Sequence, residues 1–453
     1  MSTITTSLAT SQPALSSSQS PRILSLDVTR GLIILLMIFV NDVASVAQTP
    51  TFLKHFYGNG MMLPDIVFGA FLFIVGMSMP LAFSKRLTSN SLPQLLSHIL
   101  IRSLSLIVLG ILTVAGPTEI KFHFIDPQNS TLIKILPNLW SFATYTCVFI
   151  VWHHVQTTTK RGQIISLTLR ILGIIAILYL STIYRYKGEP IEPRWWGILG
   201  LIGWAYLVCS LLYLIVRNNP YLLIIATAAL YGVYVLYRTG DNFLFSGDPA
   251  SPLTWQPTWN NQPLWFNFRF TGETIGSQAA ITMTGILFGT IFLKSSKIQS
   301  PQQRLSYAFI FASLLAIAGL IAYPSYGINK PQATLSWCLF CSAITVFIWM
   351  HLYIIIDLCN YKKWTFLVGP AGSNPLFAYM LAPVLYKIFS ISDKLTDPNR
   401  YSPFSLGSES ASWFGSQVPL AQPYIGITKS IVFAFFVVAL TGLIAKRGLR
   451  LKL

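Results

Sequence analysis

His55 and Asp65 stand ten residues apart in LKHFYGNGMMLPDIVF, between two long apolar runs. Pro64 suits the first turn of a helix, which puts Asp65 where a carboxylate favours the helix dipole. If the intervening loop folds back, the carboxylate orients the imidazole and leaves its second nitrogen free, as a general base or nucleophile needs. The preceding apolar run, RILSLDVTRGLIILLMIFVNDV, carries Asp27, Arg30, Asn41 and Asp42. Ionisable groups at membrane depth are costly, so each is a candidate for function. For Asp27 and Arg30, a local pair or snorkelling at a helix end explains the residues as well as a function does. For His55 and Asp65, beside a re-entering apolar segment, function is the better reading.

The elements that must position these groups are membrane spans. Of 453 residues, 53% are hydrophobic and 10% charged, with mean hydropathy +0.59. A soluble domain carries about a quarter charged residues. Twelve apolar runs are long enough to span, at about 26–47, 64–83, 97–115, 138–155, 164–183, 195–216, 220–237, 276–293, 305–323, 335–358, 373–391 and 426–445. The expected fold is therefore all-α, a polytopic integral membrane bundle of about twelve helices. An outer-membrane barrel would show short alternating segments instead. Residues 1–21, rich in Ser and Thr and uncharged, read as a disordered tail, and 22–453 as a single transmembrane domain.

Basic residues gather at one set of helix ends, among them Lys85, Arg86, Lys160, Arg161 and the tail KRGLRLKL. Placing those ends in the cytoplasm puts both termini inside a multi-pass protein of the cell membrane. The connections 116–137, 238–275 and 392–425 then face outward. The second, rich in Trp, Asn and Asp, suits either an interfacial aromatic belt or a sugar-binding face. The formal net charge of +17 fits contact with anionic lipid; no clustered basic face argues for nucleic acid. Cys338 and Cys341 form a C-x-x-C inside an apolar helix and read as packing residues, with no disulfide framework and no metal site implied. GILFG at 285–289 and WWGILGLIGW at 195–204 read as closely packed helices. His98, His153 and His154 fall near cytoplasmic helix ends, and His351 reads as an interhelical hydrogen-bonding residue.

Several segments resemble the heparan-α-glucosaminide N-acetyltransferase family of transmembrane acetyltransferases. They are LDVTRG (26–31), MIFVND (37–42), LKHFYGNG (53–60), LPDIVFGAFLFIVGMSMPL (63–81) and IRSL (101–104), followed at lower density by TIGSQAAITMTGILFG (274–289), INKPQATLSWCL (328–339) and GSNPLFAYMLAPV (372–384). The likeness is strongest over 22–86. It implies a catalytic role for His55, with Asn41 near the acetyl group, and makes Asn374 the matching substrate-side amide. It also implies cytosolic acetyl-CoA as acyl donor and a glucosamine amine as acceptor across the membrane. In that chemistry a base deprotonates the acceptor and hydrogen-bond donors steady the oxyanion, roles that suit His55, oriented by Asp65, and the Asn41 amide. Arg30 and Arg102 would meet CoA phosphates, with Asp27 orienting Arg30.

The resulting expectation is an acetyl-CoA-dependent N- or O-acetyltransferase. It would move an acetyl or small acyl group to an amino sugar or glycan at the outer face. Its partners would be the bilayer, acyl-CoA and the glycan, with no nucleic acid, and a homodimer is left open. The competing class is a multi-pass transporter, in which the same buried polar groups line a solute path. A scaffold without catalysis ranks third.

Overall fold

The computed structural model describes residues 23–44, 46, 49–120, 130–154, 159–191, 196–236, 271–293, 295–396 and 423–451. The expected tail at 1–21 lies outside them, as do part of 116–137 and most of 238–275 and 392–425. Among the described residues twelve long helices follow one another: α1 (Leu24–Val43), α2 (Leu63–Ser89), α3 (Leu92–Val114), α4 (Ser130–Trp152), α5 (Lys160–Ile183), α6 (Gly197–Val216), α7 (Pro220–Leu236), α8 (Thr271–Phe292), α9 (Pro301–Tyr326), α10 (Leu335–Leu358), α11 (Pro375–Thr396) and α12 (Pro423–Lys446). Eleven are long and apolar enough to cross a membrane, and α7 has 17 residues. In hydrocarbon every backbone donor and acceptor must be satisfied within its own segment, so apolar runs of this length form helices. Local signals place their starts. Pro64, Pro93 and Pro301 occupy first turns, and Gln94 Oε1 and Gln303 Oε1 reach back to the Ser91 and Ser300 amides at 3.0 and 3.2 Å.

The layers follow from burial. Nearly all of α8 is enclosed, whereas α5 and α9 show apolar side chains such as Ile164, Leu178, Ile310 and Leu314 outward. An apolar exterior and a polar-lined interior are what a bilayer solvent selects. Alternation along the bundle brings the start of α1 and the end of α12 to one end. Two short ladders agree with it. β1 (Glu119–Ile120) pairs antiparallel with β3 (Tyr184–Arg185), and β2 (His153–His154), which follows α4, pairs with β4 (Arg450–Leu451), beyond α12. The end holding β2 and β4 also holds Lys85, Arg86, Lys160, Arg161, Arg217 and Lys446, and is called the basic end below.

Small residues let backbones meet. A Cβ on Gly285 would stand 2.1 Å from the Phe73 carbonyl oxygen, and one on Gly76 1.9 Å from that of Thr282, so GILFG is the packing seam between α8 and α2. The Asp-x-x-Arg-Gly start of α1 has the same kind of explanation. A short helical turn, Gly369–Ser373, crosses α1 so closely that a Gly31 Cβ would lie 2.2 Å from the Val368 carbonyl oxygen. Backbone cannot yield as a side-chain tip can. Gly31→Ala is therefore expected to lower stability by about 1–3 kcal/mol. Gly232→Ala, where an added methyl meets nothing within 4 Å, should be neutral or slightly stabilising. Thermal unfolding midpoints of the two variants check this.

Candidate functional site

Asp65 is the third residue of α2, and its carboxylate has two tasks. Oδ2 accepts the backbone N–H of Phe56 (3.0 Å) and of Met62 (3.1 Å), folding the loop back over the helix start. Oδ1 lies 2.9 Å from His55 Nδ1. The Asp65 carbonyl accepts Trp337 Nε1 from α10 at 3.0 Å. The carboxylate is 1% exposed and the imidazole 30%. The expected His55–Asp65 pairing is thus present in the geometry, and a buried carboxylate selects the tautomer with the proton on Nδ1. Nε2 then carries the free lone pair.

Lys330 completes this centre and was not singled out from sequence. Its Nζ donates to the Pro64 carbonyl at 3.2 Å, stands 3.7 Å from Asp65 Oδ1, and lies 3.2 Å from His55 Nδ1. With Nδ1 protonated, the Lys330–His55 proximity is no hydrogen bond, and Lys330 acts as counter-charge to Asp65. Burial pulls the Lys330 ammonium below the usual lysine range, while the Asp65 carboxylate opposes that shift. Lys330 arrives on a loop clasped to the His55 loop. Gly60 N donates to the Ile328 carbonyl (2.8 Å), Ile328 N to Asn59 Oδ1 (2.8 Å), and Asn329 Nδ2 to the Gly58 carbonyl (3.4 Å).

Two cavities lie along α1 and α11, the first also lined by α2 and the second by α4. The first, about 310 Å³, sits towards the basic end and is lined by Arg30, Ser78, Arg102, Tyr206 and Tyr379 among others. Arg30 donates to Ser78 Oγ (2.5 Å), to Asp27 Oδ1 (3.3 Å) and to the Gly372 carbonyl (3.4 Å). The Arg102 guanidinium lies 4.6 Å from the centre of the Tyr206 ring. The second cavity, about 520 Å³, sits towards the opposite end and is lined by Asn41, Asn138, Ser141, Tyr386, Lys387 and Ser390, with Tyr379 again in its wall. Lys387 Nζ donates to Asn138 Oδ1 at 3.2 Å, and Asn138 Nδ2 to Ser390 Oγ at 3.0 Å.

The structure therefore brings His55 to Asp65, Asp27 to Arg30, and Arg30 and Arg102 to one cavity. It does not bring Asn41 to His55: Asn41 lines the second cavity, whereas Asp65 and Gly69 face α10. Asn374 joins the Gly369–Ser373 turn to α11, is buried, lines neither cavity, and its Nδ2 finds no partner among the described residues. His351 departs from expectation. It is exposed in the last turns of α10, with Nδ1 2.7 Å from the Phe347 carbonyl of its own helix, because the i−4 carbonyl is nearer than any neighbouring span. Cys338 and Cys341 are buried free thiols, and Cys341 packs against Gly69. Among the described residues no group of three His, Cys, Asp or Glu could hold a metal.

A further buried centre was legible only in half. Asp42, at the end of α1, pairs with Lys429 Nζ of α12 at 3.2 Å and accepts the Tyr386 hydroxyl of α11. Its sequence signal is a single lysine inside the apolar run GITKSIVFAFF.

Fold and site define an all-α integral membrane protein with a carboxylate-oriented histidine at one end and two interior cavities. Residues 22–125 match the family model described as heparan-alpha-glucosaminide N-acetyltransferase, catalytic. The Homo sapiens heparan-alpha-glucosaminide N-acetyltransferase is 38% identical over 95 residues, 21% of this chain and 14% of that protein. The Mus musculus protein of the same name is 36% identical over 104 residues, 23% of this chain and 15% of that protein. Over this stretch, which contains α1, α2, α3 and the His55 loop, the chain is similar to heparan-alpha-glucosaminide N-acetyltransferase. The match covers about a seventh of the length of those relatives.

Proposed function

We propose that the protein is a membrane acyltransferase that carries an acetyl or small acyl group from cytosolic acetyl-CoA to an amine or hydroxyl of an amino sugar or glycan at the outer face. The observation that carries this reading is the pair of cavities sharing Tyr379. They give α1 an arginine-lined chamber at the basic end and an amide- and hydroxyl-lined chamber at the other. Taking the basic end as cytoplasmic follows the positive-inside rule and puts both termini inside. CoA phosphates then meet Arg30 and Arg102, and the acyl thioester points away from the cytosol. In the transfer, the acceptor nitrogen or oxygen attacks the acyl carbon, His55 Nε2 takes its proton, and the C–S bond breaks to release the CoA thiolate.

The transporter reading has its own support in the buried Asp42–Lys429 pair, since charged pairs within spans also mark solute paths. Acetyl-CoA separates the two. At a hundred times its Kd, a ligand that binds the folded state stabilises it by about 2.7 kcal/mol, so the purified protein should melt markedly higher with acetyl-CoA present. Arg102→Ala should weaken that binding about tenfold or more, as loss of a charge-assisted phosphate contact does. A melting curve that ignores acetyl-CoA at millimolar concentration sinks the donor assignment. An Arg102→Ala variant of lower stability but full CoA affinity makes Arg102 a packing residue on Tyr206.

A further inference from the structure

His98 and Arg102 are four residues apart and share one face of α3, and Arg86 lies in the last turn of α2 beside Tyr206 and Arg102. All three are half-buried. Arg86 and Arg102 each stand close enough to His98 to act on its charge. Like charges do not gather at a half-buried site without something to hold them. The described carboxylates at this end are Asp27, engaged by Arg30, and Asp357, whose Oδ2 accepts the Ser25 N–H at 3.2 Å. His98 Nε2 and Arg102 Nε are buried and find no hydrogen-bond partner among the described residues. Three donor-bearing side chains thus converge with no acid among them, and two of them, His98 and Arg102, keep a buried nitrogen without a partner among the described residues.

We infer that Arg86, His98 and Arg102 form a phosphomonoester site at the mouth of the first cavity. The ligand class follows from the groups. A dianionic monoester offers three strong acceptor oxygens, matching two guanidinium forks and an imidazole N–H. Depth orders the cations. Along α3, His98 precedes Arg102 by about 6 Å, so His98 and Arg86 stand nearer the basic end. Arg30, held against Ser78, reaches the same cavity from α1. An extended donor entering from the basic end would leave its phosphomonoester at Arg86, His98 and Arg102 and its diphosphate at Arg30, beside Ser78. This rests on the donor reading above and adds to it the part of the donor that is recognised: the 3′-phosphate of CoA.

Comparison of CoA with 3′-dephospho-CoA tests the site on the full-length protein, by calorimetric titration in neutral-lipid nanodiscs. Wild type should bind dephospho-CoA about tenfold or more weakly than CoA. Arg86→Gln and His98→Gln should bind the two ligands alike, at the wild-type affinity for dephospho-CoA, and Arg86→Lys should keep part of the preference. Equal wild-type affinity for both overturns the phosphomonoester site and leaves the donor assignment standing, whereas binding of neither overturns the donor assignment itself. A lipid phosphate as occupant predicts another pattern. Phosphatidylglycerol would raise the wild-type melting point but not that of the glutamine variants, with CoA and dephospho-CoA equal, and that result also overturns the proposal.

Discussion

Replacing His55 by alanine is expected to lower acyl transfer by about 100-fold or more while the fold and donor binding persist. That factor is the ordinary contribution of a positioned acid–base group. The fold should persist because the loop does not depend on the imidazole: Asp65 Oδ2 still accepts the Phe56 and Met62 amides, and Gly60 still donates to Ile328. Donor binding should persist because Arg30 and Arg102 line a cavity that His55 does not. Asp65→Asn should behave differently. It removes the charge that orients His55 and weakens the acceptor of two backbone donors, so it should lower rate and melting midpoint together. The assay is labelled acetyl transfer from acetyl-CoA to glucosamine-type acceptors in proteoliposomes, with donor affinity measured on each variant. Full transfer by His55→Ala removes His55 from the mechanism. No transfer by wild type to any acceptor, with solute uptake lost in the variant, favours the transporter. Asn41→Ala and the double variant add a second reading. If both groups act on one carbonyl, their costs are not additive, as for groups that work as a unit. Additive costs would mean that the second cavity serves another step.

What could be read along the chain was what local chemistry dictates. Twelve apolar runs became twelve helices because a span is specified by length and hydropathy alone. The His55–Asp65 contact was legible because a proline at the helix start and a carboxylate two residues inside it reach back over a short loop. Lys330 was not, since it meets His55 from 275 residues away and looks, beside Pro331, like any loop lysine. Clasping of the two loops by Asn59 and Asn329 is likewise a tertiary fact, although both loops lie in family-like segments. Asn41 is a different case. The family resemblance places it near the acetyl group, and α1 presents it to α4 and α11 while α2 turns Asp65 towards α10. Residues on adjacent spans share a site only if their helices rotate the same way, and sequence spacing does not specify that rotation. The first turns of α8, which form a π-helix over Thr271–Gln278, were also missed, because their polar TGETIGSQ lowers the local hydropathy.

Lys429→Met is expected to destabilise the protein by about 3–5 kcal/mol, the usual cost of removing one partner from a buried ion pair. Lys429 is 7% exposed and Asp42 1%, so neither has water to fall back on. Without the ammonium, Asp42 keeps the Tyr386 hydroxyl at Oδ1 but loses the charge at Oδ2 that offsets its desolvation. Most of the loss should return in the double variant Asp42→Asn with Lys429→Met. An amide oxygen still accepts from Tyr386, and no uncompensated charge remains. Thermal or denaturant unfolding of wild type, single and double variants closes the cycle. A single variant as stable as wild type would mean that the pair contributes nothing to stability. The double variant also separates the two functional classes. Asp42 adjoins Asn41, and Tyr386 forms part of the second cavity wall, so for an acyltransferase the pair acts by holding that wall. The neutral double variant, once folded, should then transfer acyl groups at close to the wild-type rate. A transporter that carries charge through Asp42 and Lys429 would lose coupled uptake in the same variant however well it folded.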